Sequence, residues 1–358
     1  MRECDILIIG TGYFAEIMVS DLAATAPAPM TVVIAGRNAA RLQWLCTASN
    51  ARAAIFGRPV RFVTDTFDLS SVDSTAQCLQ RWSASVVVQS ASLQSPWSVD
   101  RPDSPWSRLV GAAGFGITLA FQSMLPVRTA SALKSLGSTA RFVNTCYPDG
   151  VNQVLRASRL PITCGVGNIA IFSSVIAGTL APADRAGVRV LAHHQHLVQW
   201  RKPGAERDGV PPRVWTGETE MTGVQDRFRD IQLPFRDLNV ISGGSAAPVL
   251  VALAGHRDYR GHVPGPNGLP GGYPVRVSSG AVALDLPAAV STDEAIAWNR
   301  QFEDADGASV TAQGRVVYSE RAREALRQVS PDIAAGFEVG ELESAHAALQ
   351  ALRARLGG

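Results

Sequence analysis

Ile6-Leu7-Ile8-Ile9-Gly10-Thr11-Gly12-Tyr13-Phe14-Ala15 is the stretch whose reading decides the fold. Four consecutive apolar residues suit a strand buried on both faces. They stop at a glycine, and the apolar residues of 15–24 then recur at helical spacing. The turn between them has the form GxGxxA. Gly10 permits a tight exit from the strand, Gly12 lets the backbone approach a pyrophosphate, and Ala15 lets the helix pack closely on the strand. The helix N-terminus then offers free amide donors and a positive dipole end to phosphate. In this strand–turn–helix setting the motif predicts a dinucleotide site built on Gly10, Thr11, Gly12, Tyr13 and Phe14.

The pattern continues outward. Residues 31–35, 60–64 and 85–89 read as further strands, and 37–49 and 72–83 as helices. Residues 116–136 read as a helix kinked or broken at Pro126. Residues 140–143 form a strand closed by Asn144, 150–158 a helix, and 162–166 the last strand of this half. The alternation predicts a Rossmann-type doubly wound parallel sheet, the α/β class, over residues 1–165. After residue 166 the pattern changes. Residues 188–191 and 197–200 read as strands around a histidine cluster, 240–254 as helix and 263–274 as loop. A hairpin follows over 275–286, and the segment from 320 to the end reads as largely amphipathic helix. Residues 166–358 are therefore expected to form an α+β substrate domain.

The second strand ends in Ala35-Gly36-Arg37-Asn38. A site selective for NAD usually has an acid here to accept from the ribose hydroxyls. None is present, Gly36 leaves room, and Arg37 is placed to pair with a 2′-phosphate, so the expected cofactor is NADP(H), with Asn38 beside it. Ser90-Ala91-Ser92, after the fourth strand, is small enough for a cofactor to lie across the strand ends. Asn144 is expected to face the nicotinamide or a substrate carbonyl.

Residues 95–107 hold three prolines and two tryptophans, and are long for a connection. They read as a mobile lid in which Trp97 and Trp106 either cover a substrate or anchor the loop, and in which Arg101, or Arg108 just after it, polarises a carbonyl or binds an acid.

Composition narrows the partners. The formal net charge is +2, and no basic block alternates with aromatic residues, which excludes a nucleic-acid-binding chain. Only Lys134 and Lys202 are lysines, an arginine bias of the kind GC-rich bacterial coding produces. Five scattered cysteines without a CxxC pair suit a reducing compartment. With no signal peptide and no long apolar stretch, a cytoplasmic protein is expected, without membrane partner, acting on a small molecule as a homo-oligomer, by base rate a dimer.

The order of features resembles the lactate/malate dehydrogenase superfamily. Asn144-Thr145-Cys146-Tyr147-Pro148-Asp149 is similar to that family's Asn-Pro-Val-Asp strand end, and Gly165-Val166-Gly167-Asn168 to its glycine-containing turn. Residues 190–196 resemble its strand bearing the catalytic histidine, and 272–286 with 291–294 its late hairpin and final helix. The resemblance implies hydride transfer between a nicotinamide and a carbonyl of the 2-hydroxy/2-oxo acid type. It makes His194 the first candidate acid/base and His196 the second, with Asn168 at the position of the family's orienting aspartate. Residues 170–174 lack the family's carboxylate-clamping arginine, so the substrate is not expected to be an ordinary 2-hydroxy acid.

On a strand, His194 and His196 would share one face and His193 would point away. A histidine near the nicotinamide carries the proton that accompanies hydride transfer. An amide at Asn168 fixes a tautomer without stabilising an imidazolium, which also suits an imine substrate. An opine- or saccharopine-like dehydrogenase is thus one alternative, and a non-catalytic NADP(H)-binding redox sensor is another. His-x-His is also a metal-ligand spacing, with His256 or His262 as a third ligand, but no metal is expected.

Overall fold

The computed structural model describes residues 2–69, 71–95, 104–234 and 237–357. Six parallel strands, β1 (Arg2–Ile9), β2 (Met30–Gly36), β3 (Val60–Thr66), β4 (Trp82–Gln89), β5 (Arg141–Asn144) and β6 (Cys164–Gly165), form one sheet. Their order is β3-β2-β1-β4-β5-β6, the doubly wound order with its switch point between β1 and β4. The helices alternating with them are α1 (Tyr13–Thr25), α2 (Ala39–Ile55), α3 (Val72–Arg81), α4 (Pro105–Ala113), α5 (Leu119–Ser135) and α6 (Pro148–Ala157).

The apolar run of β1 is explained by burial on both faces. Ile6 and Ile8 enter one core beside Val32, Ile34, Val86 and Val88. Leu7 and Ile9 enter the other beside Val33, Ala35 and Val87. Register aligns the carboxyl ends: Ile9 lies beside Ala35 and Gln89, Gln89 beside Asn144, and Asn144 beside Gly165. The loops that follow these strands therefore open on one edge, where ligands bind in such sheets.

Beyond β6 come α7 (Ile169–Thr179), β7 (Val188–Leu191), α8 (His194–Trp200), β8 (Arg213–Thr216), β9 (Thr219–Glu220), α9 (Val224–Arg227) and α10 (Asn239–Leu253). Next are β10 (Tyr259–Pro264), β11 (Gly272–Ser278), β12 (Ala281–Leu284), α11 (Thr292–Arg300), α12 (Glu303–Asp306), β13 (Ala308–Val310) and β14 (Arg315–Tyr318). The chain ends with α13 (Glu320–Arg327), α14 (Pro331–Ala334), β15 (Phe337–Glu338) and α15 (Leu342–Arg355). The nine later strands form three small antiparallel sheets. Both cores of the parallel sheet run into this half. One takes in Tyr318, Leu326, Phe337, Leu342, Leu349 and Leu352, the other Leu250, Val263, Tyr273, Val275 and Val277.

Three sequence expectations change, and a fourth gains detail. Residues 197–200 belong to a helix, because Leu197 and Trp200 sit one turn apart and both bury beside Phe172. Pro126 lies inside an unbroken α5, whose buried face holds it in the core. Residues 263–274 contain the end of β10 and the start of β11 around a short turn. The C-terminal segment is interrupted by β15 between α14 and α15.

One close approach fixes α12 against the parallel-sheet half. A Cβ on Gly116 would stand 2.6 Å from the amide nitrogen of Ala308, and one on Gly307 would stand 2.4 Å from the carbonyl oxygen of Ala113. Gly116→Ala is expected to cost about 1–3 kcal/mol through overpacking. Gly178→Ala, in α7 with open space around its site, should instead gain roughly 0.5–1 kcal/mol. Urea unfolding of both variants checks the pair of signs.

Candidate active site

The carboxyl edge of the parallel sheet opens into a cleft of about 1420 Å³. A pocket for one small ligand is usually roughly 300–1000 Å³, so this one has room for a cofactor and a second molecule. Its lining includes Gly10, Thr11, Gly12, Tyr13 and Phe14 from the first turn, Gly36, Arg37 and Asn38 after β2, and Ser90, Ala91 and Ser92 after β4. All eleven residues expected to bind the cofactor, except Asn144, thus lie on one surface.

The fit to a dinucleotide rests on the cradle itself. Gly10 has φ +137°, and a Cβ there would meet the Ser90 carbonyl carbon at 2.9 Å. At Gly12 a Cβ would meet nothing within 4 Å, so the backbone borders open cleft. Ser90 Oγ is buried on the cleft wall without a protein hydrogen-bond partner. Arg37 is exposed, whereas the Asn38 side chain caps α2 by accepting from Arg41 N at 2.9 Å. Asn38 is therefore committed to its helix, and Arg37 is the side chain left to meet a ligand.

At the other end of the cleft lies His194, the first residue of α8. Its Nδ1 is 2.9 Å from Asp306 Oδ1. Asp306 stands 112 residues away in sequence and is 1 % exposed. The same carboxylate accepts from Gln195 Nε2 through Oδ1 and from the Tyr147 hydroxyl through Oδ2. Burial alone would raise its pKa. The charge and hydrogen bond of His194, with help from His193 and Tyr147, reverse that and hold it well below the ordinary carboxylate range. For His194, burial opposes protonation, but the charge and hydrogen bond of Asp306 outweigh it, so its pKa is raised. With Asp306 ionised, Nδ1 must donate, and Nε2 is the nitrogen left for the cleft. Phe115 and Tyr147 pack against the ring, with centroids 6.1 and 5.8 Å away.

Backbone strain collects at the same place. Tyr147 has φ 42° and Asn168 φ 25°, both rare for residues with a side chain. The Asn168 amide donates to Asp149 Oδ2, an acid that is 2 % exposed. Glu303, one turn before Asp306, accepts from Gln153 Nε2 at 2.8 Å. Burial pushes its carboxyl up to about 7, against the opposing pull of Gln153 and Arg300.

Several expected roles are corrected. His194 and His196 do not share the face of a strand: His193 caps α8, and His194 and His196 lie in its first turn. His196 is 2 % exposed, accepts from His193 N through Nδ1 at 2.9 Å, and stacks on Trp298 at 5.3 Å. Burial drives its pKa down to about 3, so it stays neutral and is no proton carrier near pH 7. Asn168 does not orient His194, because Asp306 does and Asn168 is bound to Asp149. The Asn144 side chain is fully buried and holds its own turn, with Nδ2 to Asn152 Oδ1 at 2.9 Å and Oδ1 from Cys146 N at 3.0 Å. It is therefore unavailable to nicotinamide or substrate. Trp106 is a core residue, edge-on to Phe121, and not a cover. Trp97 and Arg101 lie outside the described residues. Among the described residues no three His, Cys, Asp or Glu side chains converge as a metal site requires, and no helix is long and apolar enough to cross a membrane.

Asp306, Tyr147 and Gln195 are the polar groups that sequence reasoning missed. Asp306 sits in Glu303-Asp304-Ala305-Asp306, which reads as a solvated acidic run. Its one local signal is the following Gly307, a helix stop.

Comparison of the sequence with protein-family models finds no match, and comparison with curated proteins finds none either. Comparison of the structure with solved structures does. The lactate dehydrogenase from Cryptosporidium parvum, complexed with lactic acid and β-nicotinamide adenine dinucleotide, matches at TM-score 0.51 and 15 % identity, covering 84 % of this chain and 95 % of that one. That from Eimeria maxima, with NADH and oxamate, matches at TM-score 0.50 and 12 % identity, covering 84 % and 92 %. The fold is that of the lactate/malate dehydrogenases. Within this dehydrogenase fold, the acid beside the candidate histidine of this chain comes from α12, near the C-terminus, and not from the turn before α7.

Two measurements test these assignments. In Asp306→Asn the His194 imidazole should titrate at lower pH than in the wild type, read by NMR of its ring protons. Glu303 has its folded pKa raised from 4.5 to about 7, so its ionisation destabilises the fold as pH rises through that window. Glu303→Gln is therefore expected to gain on the wild type between pH 4.5 and 7, by at most ~3 kcal/mol, and then hold level. Unfolding curves measured across that range check it.

Proposed function

We propose that this chain is an NADP(H)-dependent oxidoreductase that interconverts a small carbonyl compound and its alcohol, with His194 as the acid/base. The observation that carries the reading is the His194–Asp306–Tyr147 arrangement in the cleft that begins at the Gly10–Gly12 turn. In roles, residues 1–165 hold the cofactor and residues 166–358 supply the acid/base and most of the substrate surface.

A nicotinamide bound in this cleft supplies or accepts the hydride. Gly10, Gly12 and the N-terminus of α1 hold its pyrophosphate, and Ser90 Oγ offers a hydrogen bond along the same wall. Arg37 pairs with the 2′-phosphate in the space that Gly36 leaves. In the reducing direction His194 Nε2 donates a proton to the carbonyl oxygen as the hydride adds to carbon. In the oxidising direction it takes the proton back. Asp306 keeps the ring in the tautomer with Nδ1 protonated and stabilises the imidazolium. Tyr147 and Gln195 hold the carboxylate in place and ionised. Because Asp306 supplies the charge that Asn168 lacks, the argument for an imine substrate falls away.

NADPH is expected to bind at least roughly tenfold more tightly than NADH, about one charge-assisted contact. Arg37→Gln should erase the difference in a fluorescence titration. A panel of carbonyl compounds scored by NADPH oxidation should yield turnover. His194→Gln should lower kcat by roughly 10²–10⁴ with unchanged cofactor affinity. Equal turnover in His194→Gln would remove the histidine from the chemistry.

A further inference from the structure

The chain that leaves β3 brings a carboxylate to the cleft. Gly36 of β2 pairs with Thr66 of β3, and Phe67 N extends the pairing by donating to the Gly36 carbonyl at 3.0 Å. Residues 67–69 therefore run beside Arg37 on the same edge of the sheet, and all three border the cleft. Phe67 and Leu69 are each 8 % exposed and enter the core with Val33, Ala35 and Leu125. Asp68, between them, is turned outward and exposed. Among the described lining residues it is the one carboxylate. The cations of the same lining are Arg37 and Arg128 near it, with Arg201, Lys202 and Arg321 from the second half of the chain.

The segment that carries Asp68 is braced from two helices. Ser74 Oγ, in α3, donates to the Asp68 carbonyl at 2.6 Å. Arg128 Nη1, in α5, donates to the Leu69 carbonyl at 3.2 Å. Both neighbouring carbonyls are held, so the carboxylate has a set place on the wall. The strand order β3-β2-β1 says which part of a dinucleotide reaches it. Strands in a sheet lie about 4.8 Å apart, which puts the end of β3 roughly 10 Å from the turn that follows β1. With a pyrophosphate on that turn and a 2′-phosphate on Arg37, the ribose lies over β2 and the base extends toward β3. There Phe67, Leu69, Leu125 and Ala91 offer apolar walls, with Asp68 among them.

An ionised carboxylate accepts hydrogen bonds and donates none. A 6-aminopurine presents N–H donors at its outer edge. A 6-oxopurine presents an oxygen at the same position, which the carboxylate repels. We infer that Asp68 reads the base of the dinucleotide by accepting from the 6-amino group of adenine, and so disfavours a 6-oxopurine. This rests on the reading of the cleft as a dinucleotide site, and it asks nothing of His194 or of the reaction.

The test is a binding measurement without substrate. NADPH, NADH and the analogues of each with hypoxanthine in place of adenine are titrated into the full chain and followed by the fluorescence of the reduced nicotinamide. Each adenine form should bind at least roughly tenfold more tightly than its hypoxanthine form, about one charge-assisted hydrogen bond. In Asp68→Asn the amide accepts from an amino group or donates to an oxo group, so the preference should fall to near unity. Asp68→Ala should do the same, with thermal melts showing that both variants fold. A base preference shared by the phosphorylated and unphosphorylated pairs upholds Asp68 even where NADPH and NADH bind alike and Arg37 is rejected. Equal binding of the two bases in the wild type, or a preference that survives in both variants, overturns the inference and leaves the dinucleotide site standing. Tighter binding of all four dinucleotides in Asp68→Asn with the preference intact also overturns it, since the carboxylate would then act by charge alone. Binding of none of the four overturns the cofactor reading and this inference with it.

Discussion

A carboxylate that is 1 % exposed must find its donors inside the protein, and Asp306 finds three: the His194 ring, the Gln195 amide and the Tyr147 hydroxyl. Leaving such a charge unpaired in a low-dielectric interior would cost several kcal/mol. The local conformations around it follow from that requirement. Tyr147 takes a left-handed backbone conformation while its hydroxyl reaches the carboxylate. The turn from β7 into α8 brings His194 and Gln195 to the same oxygen. The glycines at 114, 116 and 307 let α12 touch the α4–α5 connection backbone to backbone, which holds the acid at a fixed height.

The ion pair has a pH window of its own. The raised pKa of His194 means that its share of stability is full below about 6.5 and fades as pH climbs through the folded value. The lowered pKa of Asp306 means that its share is present above about 3.8 and fades as pH falls through the folded value. Glu303 works against the fold from 4.5 upward. The cluster is therefore most stabilising in mildly acidic solution and loosens toward alkaline pH. A site meant only to hold the fold together has no need of a histidine ring that reaches a cleft. The pairing of a buried acid with a partly exposed imidazole is the feature that points from stability to chemistry.

Much of the architecture was legible because its signals are local. An apolar run with GxGxxA behind it has few other uses, and alternating strands and helices admit few topologies. Ten of the eleven cofactor-side candidates border the cleft because each sits within a few residues of a strand end. The other half was less legible. Residues 193–200 misled because His-His-Gln-His carries no helical periodicity of its own; the helix is held by Leu197 and Trp200 packing on α7. Asn144 misled because an amide at a strand end serves its own turn as readily as a ligand.

The sequence by itself determined the doubly wound sheet, the GxGxxA turn and the absence of an acid after β2, since each depends on neighbours within a few residues. Only the tertiary structure decided which histidine meets an acid and which acid it is. His194 and Asp306 are 112 residues apart, and their meeting depends on glycine contacts that no spacing rule records. His196, identical in chemistry and two residues away, meets no acid, because the same folding buries it beside Trp298 and leaves its ring neutral. The glycine turn after β1 is a property of ten residues, whereas the His194–Asp306 pair that borders the same cleft is a property of the whole fold.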